Sequence, residues 1–437
     1  MSLQNKLVRN TLLRKRCDVL RKKRCLYEKL NEDTQRYSFQ LKKLNSMWSY
    51  ALENVPFYQH WSRKHGLPKL IENVEDLKKF PILNKGIIQE NEDLVLQSLR
   101  KYRLVTTGGS SGEPMAFPTN KRERDNIYAN AYLGRSWWGI EPLDKILLIW
   151  GHSHAFGEGK IRIVNNIKRS LSDYIIGTKR LSAYDLSEDN LARYCKEINT
   201  GKYVAIIGYT SAIYKLAKYV KENELPLNAC KKLKAVIMTS ETVTGADIKL
   251  VQNTWGVKAV VEYGTAELGI VSYSKNEVSR NCMMWDSHIS TIDTNNELIV
   301  TTLDNRLLPL INYRTNDIVK PGREYSGSIM ELREIVGRSH DLIEIVSDGR
   351  KINVHGEIFT HILKSIKGIY SFEIIQKKNK DIDIKYVLRG SGDVQKYFCQ
   401  LIRKEFPKIE LKKFRFVEVD SIEKTIAGKQ KWIKVEV

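Results

Sequence analysis

The sequence has little cysteine, no long apolar run and a shortage of acid relative to base. Its six cysteines, Cys17, Cys25, Cys195, Cys230, Cys282 and Cys399, are scattered over 437 residues without a C-x-x-C pair. Neither a disulfide framework nor a paired-cysteine zinc site is indicated, and a reducing, cytoplasmic setting is expected. The longest apolar runs, such as Ile146–Trp150, fall far short of the roughly 18–20 residues needed to span a bilayer. The N-terminus starts basic but no apolar stretch follows, so no secretory leader is read there. Internal repeats and low-complexity tracts are absent. No zinc finger, RNP-type aromatic motif or helix-turn-helix signature is present, which leaves nucleic acid unsupported as the primary partner. Lys and Arg number 72 against 51 Asp and Glu, a formal charge of +21. A surplus of this size points to anionic partners: nucleotide phosphates, nucleic acid, acidic glycans or an anionic membrane face.

The length exceeds the roughly 100–200 residues of one typical domain. An apolar fraction of 42% with 9% aromatics is enough for a sizeable core. Residues 1–53 contain no Pro or Gly, and Leu3, Leu7, Leu12, Leu13, Leu20, Leu26 and Leu30 recur at helix-compatible spacing. Residues 1–45 carry 13 Lys/Arg and 4 Asp/Glu. They read as a basic helical extension, either packed on the domain edge with a solvated face or touching a membrane surface or partner protein. From about 54 to 335, β-branched runs (145–150, 204–207, 235–238, 257–261, 298–302) alternate with helical stretches at 211–223 and 244–254. That alternation predicts α/β architecture. After about 341 the order becomes strand, helix, strand, strand, helix, strand, a compact α+β module. The expected division is therefore 1–45, 46–338 and 339–437.

Five segments carry chemistry. Thr106-Thr107-Gly108-Gly109-Ser110-Ser111-Gly112 holds four hydroxyls and three glycines; glycine lets the backbone approach an anion, and hydroxyls and N–H groups donate to phosphate oxygens. It is not a Walker A loop, since no G-K-[ST] ends it. Glu262-Tyr263-Gly264-Thr265-Ala266-Glu267 follows an apolar run, placing a carboxylate where α/β sheets bind ligands. Glu267 suits Mg²⁺, which favours carboxylate and phosphate oxygens. Tyr313-Arg314-Thr315-Asn316-Asp317 puts an Asp at a strand exit, fit to accept two ribose hydroxyls. Gly337-Arg338 lies at the domain boundary. Lys424-Thr425-Ile426-Ala427-Gly428-Lys429 places a lysine on a glycine turn, able to reach across a cleft to a phosphate. Taken alone, each is more often an ordinary loop, turn or solvated surface.

In this order the five segments resemble the motif series of adenylate-forming enzymes, the superfamily of acyl-CoA synthetases and adenylation domains. The resemblance covers roughly residues 45–437. Within the superfamily the chain looks most like the phenylacetate–CoA ligase group, in its CapK-like capsule-biosynthesis branch. Gly112-Glu113-Pro114-Met115, Gly208-Tyr209-Thr210-Ser211 with Met238-Thr239-Ser240-Glu241, and Tyr370–Gln376 carry that likeness. It implies a large ATP- and acyl-adenylate-binding domain with mixed sheets and flanking helices, and a small α+β domain on a hinge. It also implies ATP-dependent adenylation of a small carboxylic acid with pyrophosphate release, then acyl transfer to a thiol (CoA or a carrier) or an amine. The setting would be cytoplasmic, with a peripheral place at the inner membrane face left open, in cell-surface polysaccharide or specialised-metabolite assembly.

By resemblance, Thr106, Thr107, Gly108, Gly109, Ser110, Ser111 and Gly112 would hold the β/γ-phosphates. Tyr263 would stack near the adenine, Gly264 and Thr265 would belong to the ATP site, Asp317 would take the ribose with Arg338 nearby, and Glu267 would coordinate Mg²⁺. Lys429 would bridge the carboxylate and the α-phosphate, and the small domain would then rotate about a hinge at His340. The pattern departs from the family at three places. Ala266 stands where Thr or Ser usually contacts the α-phosphate, His340 where Asp or Lys is usual, and no lysine follows Pro114. His152, Tyr209, Ser240 and Glu241 are candidates for the acyl pocket. Cys282 and His288 are too few for zinc. The competing reading is an inactive adenylate-fold protein that binds nucleic acid or an acidic glycan through its basic surface. Retention of Glu267, Asp317, Arg338 and Lys429 speaks for the enzyme.

Overall fold

An unbroken, Pro- and Gly-free N-terminal stretch folds as two helices, α1 (Leu13–Lys29) and α2 (Asp33–Asn54). Pro56, with its φ preset and no N–H to lose, opens α3 (Pro56–His65), which stops at Gly66 with φ +60°. The Asn84 side chain caps the short α4 (Lys85–Glu90) by accepting from the Ile87 N–H at 3.0 Å. This computed structural model describes the chain except residues 1–12, 97–98, 100–101, 107–114, 151–172, 175, 184–185, 226–229, 305, 339–341, 391, 424–430 and 437.

Strands β1 (Arg103–Thr106) and β2 (Ala116–Thr119) pair antiparallel, with Thr106 opposite Ala116. Asn120 then caps α5 (Lys121–Ser136). The alternating region follows: β3 (Ile146–Trp150), β4 (Thr178–Ser182), α6 (Glu188–Ile198), β5 (Ala205–Tyr209), α7 (Thr210–Glu222), β6 (Ala235–Thr239), α8 (Gly245–Trp255) and β7 (Lys258–Thr265). A strand-rich run succeeds it: β8 (Gly269–Lys275), β9 (Glu277–Met283), β10 (His288–Ile292), β11 (Glu297–Thr302), β12 (Tyr313–Tyr325) and β13 (Ser328–Arg338). The C-terminal elements are β14 (Leu342–Ser347), β15 (Arg350–His355), α9 (Glu357–Ser365), β16 (Ile369–Gln376), β17 (Ile382–Leu388), α10 (Val394–Glu405), β18 (Phe414–Glu418) and β19 (Ile433–Val435).

These elements form two compact units. The first comprises Met1–Ile146, Ser170–Thr178 and Val260–Ile335. Its sheet runs β10–β11–β12–β13–β9–β8–β7, with antiparallel pairing at β10/β11, β11/β12, β9/β13, β8/β9 and β7/β8. Leu44, Met47, Trp48 and Ala51 of α2 and Phe57 and Tyr58 of α3 share one core with Leu268, Val271, Leu298, Val300 and Tyr313. The basic α1 is tied into the same unit. Buried Lys23 pairs with Asp286 and donates to Ser287 Oγ at 2.8 Å, and Arg16 Nε donates to Asp125 at 2.8 Å.

The second unit comprises Leu147–Arg169, Lys179–Ala259 and Val336–Val437. Strands lie in the order β6–β5–β3–β4, with β5 and β6 parallel. These strands read as near-continuous apolar runs because helices cover their faces; every residue of β5 and β6 is buried. The C-terminal module has its own core around Phe359, Phe372, Phe398 and Trp432. Its sheet runs β18–β17–β16–β19, with β14 and β15 as a separate hairpin. Among the described residues no helix is long and apolar enough to cross a membrane.

Candidate active site

The turn between β7 and β8 is built to present one carboxylate. β7 shifts register between Tyr263 and Gly264. A Cβ built on Gly264 would collide with the Gly269 carbonyl oxygen, so the close backbone approach there needs glycine. Thr265 Oγ1 accepts from the Leu268 N–H at 3.1 Å and closes the turn. Ala266 is exposed at its tip, and Glu267 beside it is buried.

Three groups fix Glu267. Tyr313, fully buried at the start of β12, donates its hydroxyl to Glu267 Oε1 at 2.8 Å. Lys85 Nζ stands 3.7 Å from the same oxygen. Buried Arg306 donates to the carbonyls of Glu267 at 2.6 Å and Leu268 at 2.7 Å, so the guanidinium braces the backbone of the turn. Burial holds the Arg306 pKa below its ordinary value. Lys85 arrives by a local route: the Leu83 N–H donates to Asn312 O at 3.0 Å and the Arg314 N–H to Leu83 O at 2.8 Å, which stitches the α4 approach alongside β12.

A second carboxylate stands on β12. Glu297 lies opposite Ile318 and Ile299 opposite Arg314, so a two-residue step on β11 faces a four-residue step on β12. The resulting bulge re-aims Thr315, Asn316 and Asp317, and Asn316 takes φ +61° within it. The Asp317 N–H donates to Thr315 Oγ1 at 3.2 Å, and Tyr263 donates its hydroxyl to Asp317 Oδ2 at 2.7 Å. Burial, and then the Asp317 charge, push the Tyr263 phenol well above its ordinary pKa, so it remains a donor. The first unit thus places Tyr263, Gly264, Thr265, Glu267 and Asp317 on one strand exit and the bulge bonded to it, and adds Tyr313, Lys85 and Arg306.

No family model matches the chain. Over 421 residues it is 23% identical to the protein CapK of Staphylococcus aureus, spanning 93% of this chain and 90% of CapK. Over 382 residues it is 24% identical to the phenylacetate–coenzyme A ligase of Escherichia coli (strain K12), spanning 81% of this chain and 83% of that enzyme. Along most of its length the chain is thus similar to proteins of the phenylacetate–coenzyme A ligase and CapK group. Its fold is that of 2-hydroxyisobutyryl–coenzyme A ligase, solved in a postadenylation state with its acyl-AMP: TM-score 0.70 at 17% identity, over 93% of this chain and 90% of that one.

The remaining expected residues fall as follows. Thr106 ends β1, on the strand that enters the glycine segment. Thr107, Gly108, Gly109, Ser110, Ser111, Gly112, His152, His340 and Lys429 lie outside the described residues. Arg338 ends β13, half-buried, in the second unit. Tyr209, Ser240 and Glu241 also belong to that unit. Tyr209 is buried at the end of β5, its ring 4.5 Å from that of Trp150. Ser240 leaves β6 with φ +67°. Glu241 accepts from the Ser211 N–H at 2.7 Å and its hydroxyl at 3.0 Å, placing a negative charge at the N-terminus of α7.

The donor set fits Mg²⁺ of the kind that takes one or two protein carboxylates and completes its shell with water and phosphate oxygens. Among the described residues no group of three or more His, Cys, Asp or Glu side chains could hold a metal by itself. Glu267 supplies one carboxylate whose Oε1 is oriented by Tyr313. Sequence reasoning passed over three residues here. Tyr313 lies inside the Y-R-T-N-D segment. Lys85 follows a capping asparagine, and Arg306 precedes the apolar Leu307-Leu308-Pro309-Leu310; a lone charge beside a core run was the available clue.

Proposed function

We propose that this ligase adenylates a small carboxylic acid with ATP and then passes the acyl group to a thiol or an amine. The observation that carries the reading is the pairing of Glu267, at the exit of β7 and oriented by Tyr313, with Asp317, in the bulge of β12 and held by Tyr263, within one unit. The acid's carboxylate oxygen attacks the α-phosphorus, the bond to the β-phosphate breaks and pyrophosphate leaves. The acceptor then attacks the acyl carbon, loses its proton and releases AMP. Both half-reactions bring anions together, so positioning and charge neutralisation supply most of the catalysis.

Glu267 would hold Mg²⁺, which when bound neutralises phosphate charge. Asp317 would take the ribose hydroxyls, with the Tyr263 ring beside the base. Thr106 and the segment that follows it would cradle the β/γ-phosphates, and Lys429 would bridge carboxylate and α-phosphate. Ala266 leaves the α-phosphate to other donors. The small domain would carry Lys429 away about His340 for the second half-reaction. Phenylacetate–coenzyme A ligase and 2-hydroxyisobutyryl–coenzyme A ligase support coenzyme A as the acceptor by being coenzyme A ligases, while the capsule-type branch that the sequence resembles points to cell-surface polysaccharide assembly. Exposed Arg14, Lys15, Lys22 and Lys29 on α1 support a contact between residues 1–45 and an anionic surface.

Hydroxylamine trapping tests the reading. ATP and the right acid should yield the acyl hydroxamate, and replacing hydroxylamine with coenzyme A or an amino sugar should identify the acceptor by mass. Hydroxamate formed equally without ATP would refute adenylation.

A further inference from the structure

The second unit contains a cavity of about 630 Å³, walled on one side by residues 186–187 and Lys215 of α7 and on the other by the ends of β16, β17 and β18. The volume lies within the range of small-molecule sites, ~300–1,000 Å³. Its lining mixes charged and hydroxyl-bearing groups with apolar ones such as Leu186, Leu388 and Ile422. Lys215 and Ser371 are buried, at 7% and 3% exposure. Arg389, Glu418 and Asp420 are exposed lining residues.

Tyr370 organises the cationic wall. Its hydroxyl donates to Leu186 O at 2.9 Å, which fixes the ring. The Arg389 guanidinium carbon lies 3.7 Å from the ring centroid and Lys215 Nζ 4.9 Å from it. Arg389 is further held by Glu188 at 2.6 Å. Two cations are thereby positioned about one aromatic ring, with the Ser371 hydroxyl among the lining groups. Glu418 and Asp420 supply carboxylate acceptors elsewhere on the wall.

We propose that this cavity binds a phosphorylated, polyhydroxylated small molecule of sugar-phosphate type. The phosphate is taken by Lys215 and Arg389, the arginine offering its planar fork and the lysine a point charge. The hydroxyls donate to Glu418 and Asp420. A nucleotide is the poorer match, because the Tyr370 ring that would stack a base already carries the Arg389 guanidinium. The cavity lies outside the Glu267–Asp317 cluster, so the proposal stands whether or not the chain adenylates.

Calorimetric titration of the full chain tests it, with glucose 6-phosphate, glucose, inorganic phosphate and adenosine 3′,5′-bisphosphate as probes. The expected result is saturable binding of glucose 6-phosphate at least tenfold tighter than glucose or inorganic phosphate. Lys215→Met and Arg389→Gln should each weaken it tenfold or more, and ATP-dependent pyrophosphate release should stay unchanged in both. Arg389 is exposed, so its variant serves if Lys215→Met fails to fold. No saturation by about 10 mM, a Kd weaker than ~3 kcal/mol of binding, would overturn the proposal. So would binding untouched by either substitution, or tighter binding of the bisphosphate.

Discussion

Among the described residues Lys364 and Asp247 form the most enclosed ion pair of the second unit, and breaking it should be costly. Their side chains are 1% and 0% exposed, and Lys364 Nζ lies 2.9 Å from each carboxylate oxygen of Asp247. The pair joins α9 of the C-terminal module to the first turn of α8. Asp247 also closes that helix's capping box, accepting from the Thr244 N–H at 2.9 Å and its hydroxyl at 2.6 Å. The ammonium stands 5.0 Å from the Trp432 ring and 5.3 Å from that of Tyr214. Lys364→Met keeps most of the volume but strands a carboxylate in a dry site. Removing one partner of a buried pair costs ~3–5 kcal/mol, since the remaining charge is uncompensated. The double variant Lys364→Met/Asp247→Leu removes both charges and should lose only the cap, about 1 kcal/mol. The coupling between the two sites should then be at least about 2 kcal/mol. Urea unfolding followed by hydrogen exchange in α8 and β16 measures this. If Lys364→Met falls within about 1 kcal/mol of the parent, water reaches the pair and the argument from enclosure is wrong.

Three further outcomes follow from the first unit. Tyr313→Phe deletes the 2.8 Å hydrogen bond on Glu267; activity should fall about tenfold, as for a lost hydrogen bond to a charged group, with the Mg²⁺ requirement rising and the melting temperature little changed, all read from pyrophosphate release against Mg²⁺. Gly264→Ala drives a methyl into the Gly269 carbonyl, so it should lower stability by several kcal/mol in thermal unfolding, because backbone on both sides cannot give way. His288 is buried, with its Nε2 3.3 Å from Leu268 O, and burial, followed by the Arg306 charge, holds its pKa down to about 3. Between about pH 3 and about 6.5 the unfolded chain binds a proton there that the folded chain does not, so stability is lost as pH falls through this window, at up to ~1.4 kcal/mol per pH unit. Urea midpoints at pH 7 and pH 5 should drop more for the parent than for His288→Asn.

Much of the architecture was legible because its elements are locally specified. The apolar runs at 145–150, 204–207, 235–238 and 257–261 each became strands, and the helices expected at 211–223 and 244–254 are α7 and α8. After residue 341 the expected order is that of β14, α9, β16, β17, α10 and β18, with β15 and β19 as additions. Glu267 stood out as a carboxylate at a strand exit; Asp317, expected at another, lies instead in the bulge within β12. Their partners did not, because each reaches the site by a long-range contact. Lys85 depends on Leu83 pairing beside Tyr313. The bulge that aims Asp317 exists only in the register between β11 and β12. The charge count of residues 1–45 likewise says nothing of Lys23, which is buried against Asp286 and Ser287. Composition records a charge, and tertiary packing decides whether water sees it.

Pyrophosphate release tests the central claim most directly. ATP and Mg²⁺ would be supplied with a panel of aryl, short fatty, hydroxy and amino acids, using Lys429→Ala and Glu267→Gln alongside the parent. The account predicts release with one acid class, falling about a hundredfold or more in each variant, as for loss of a transition-state contact worth ~2.7 kcal/mol or more. Release that persists undiminished in both variants would contradict it, as would a parent chain that binds no ATP.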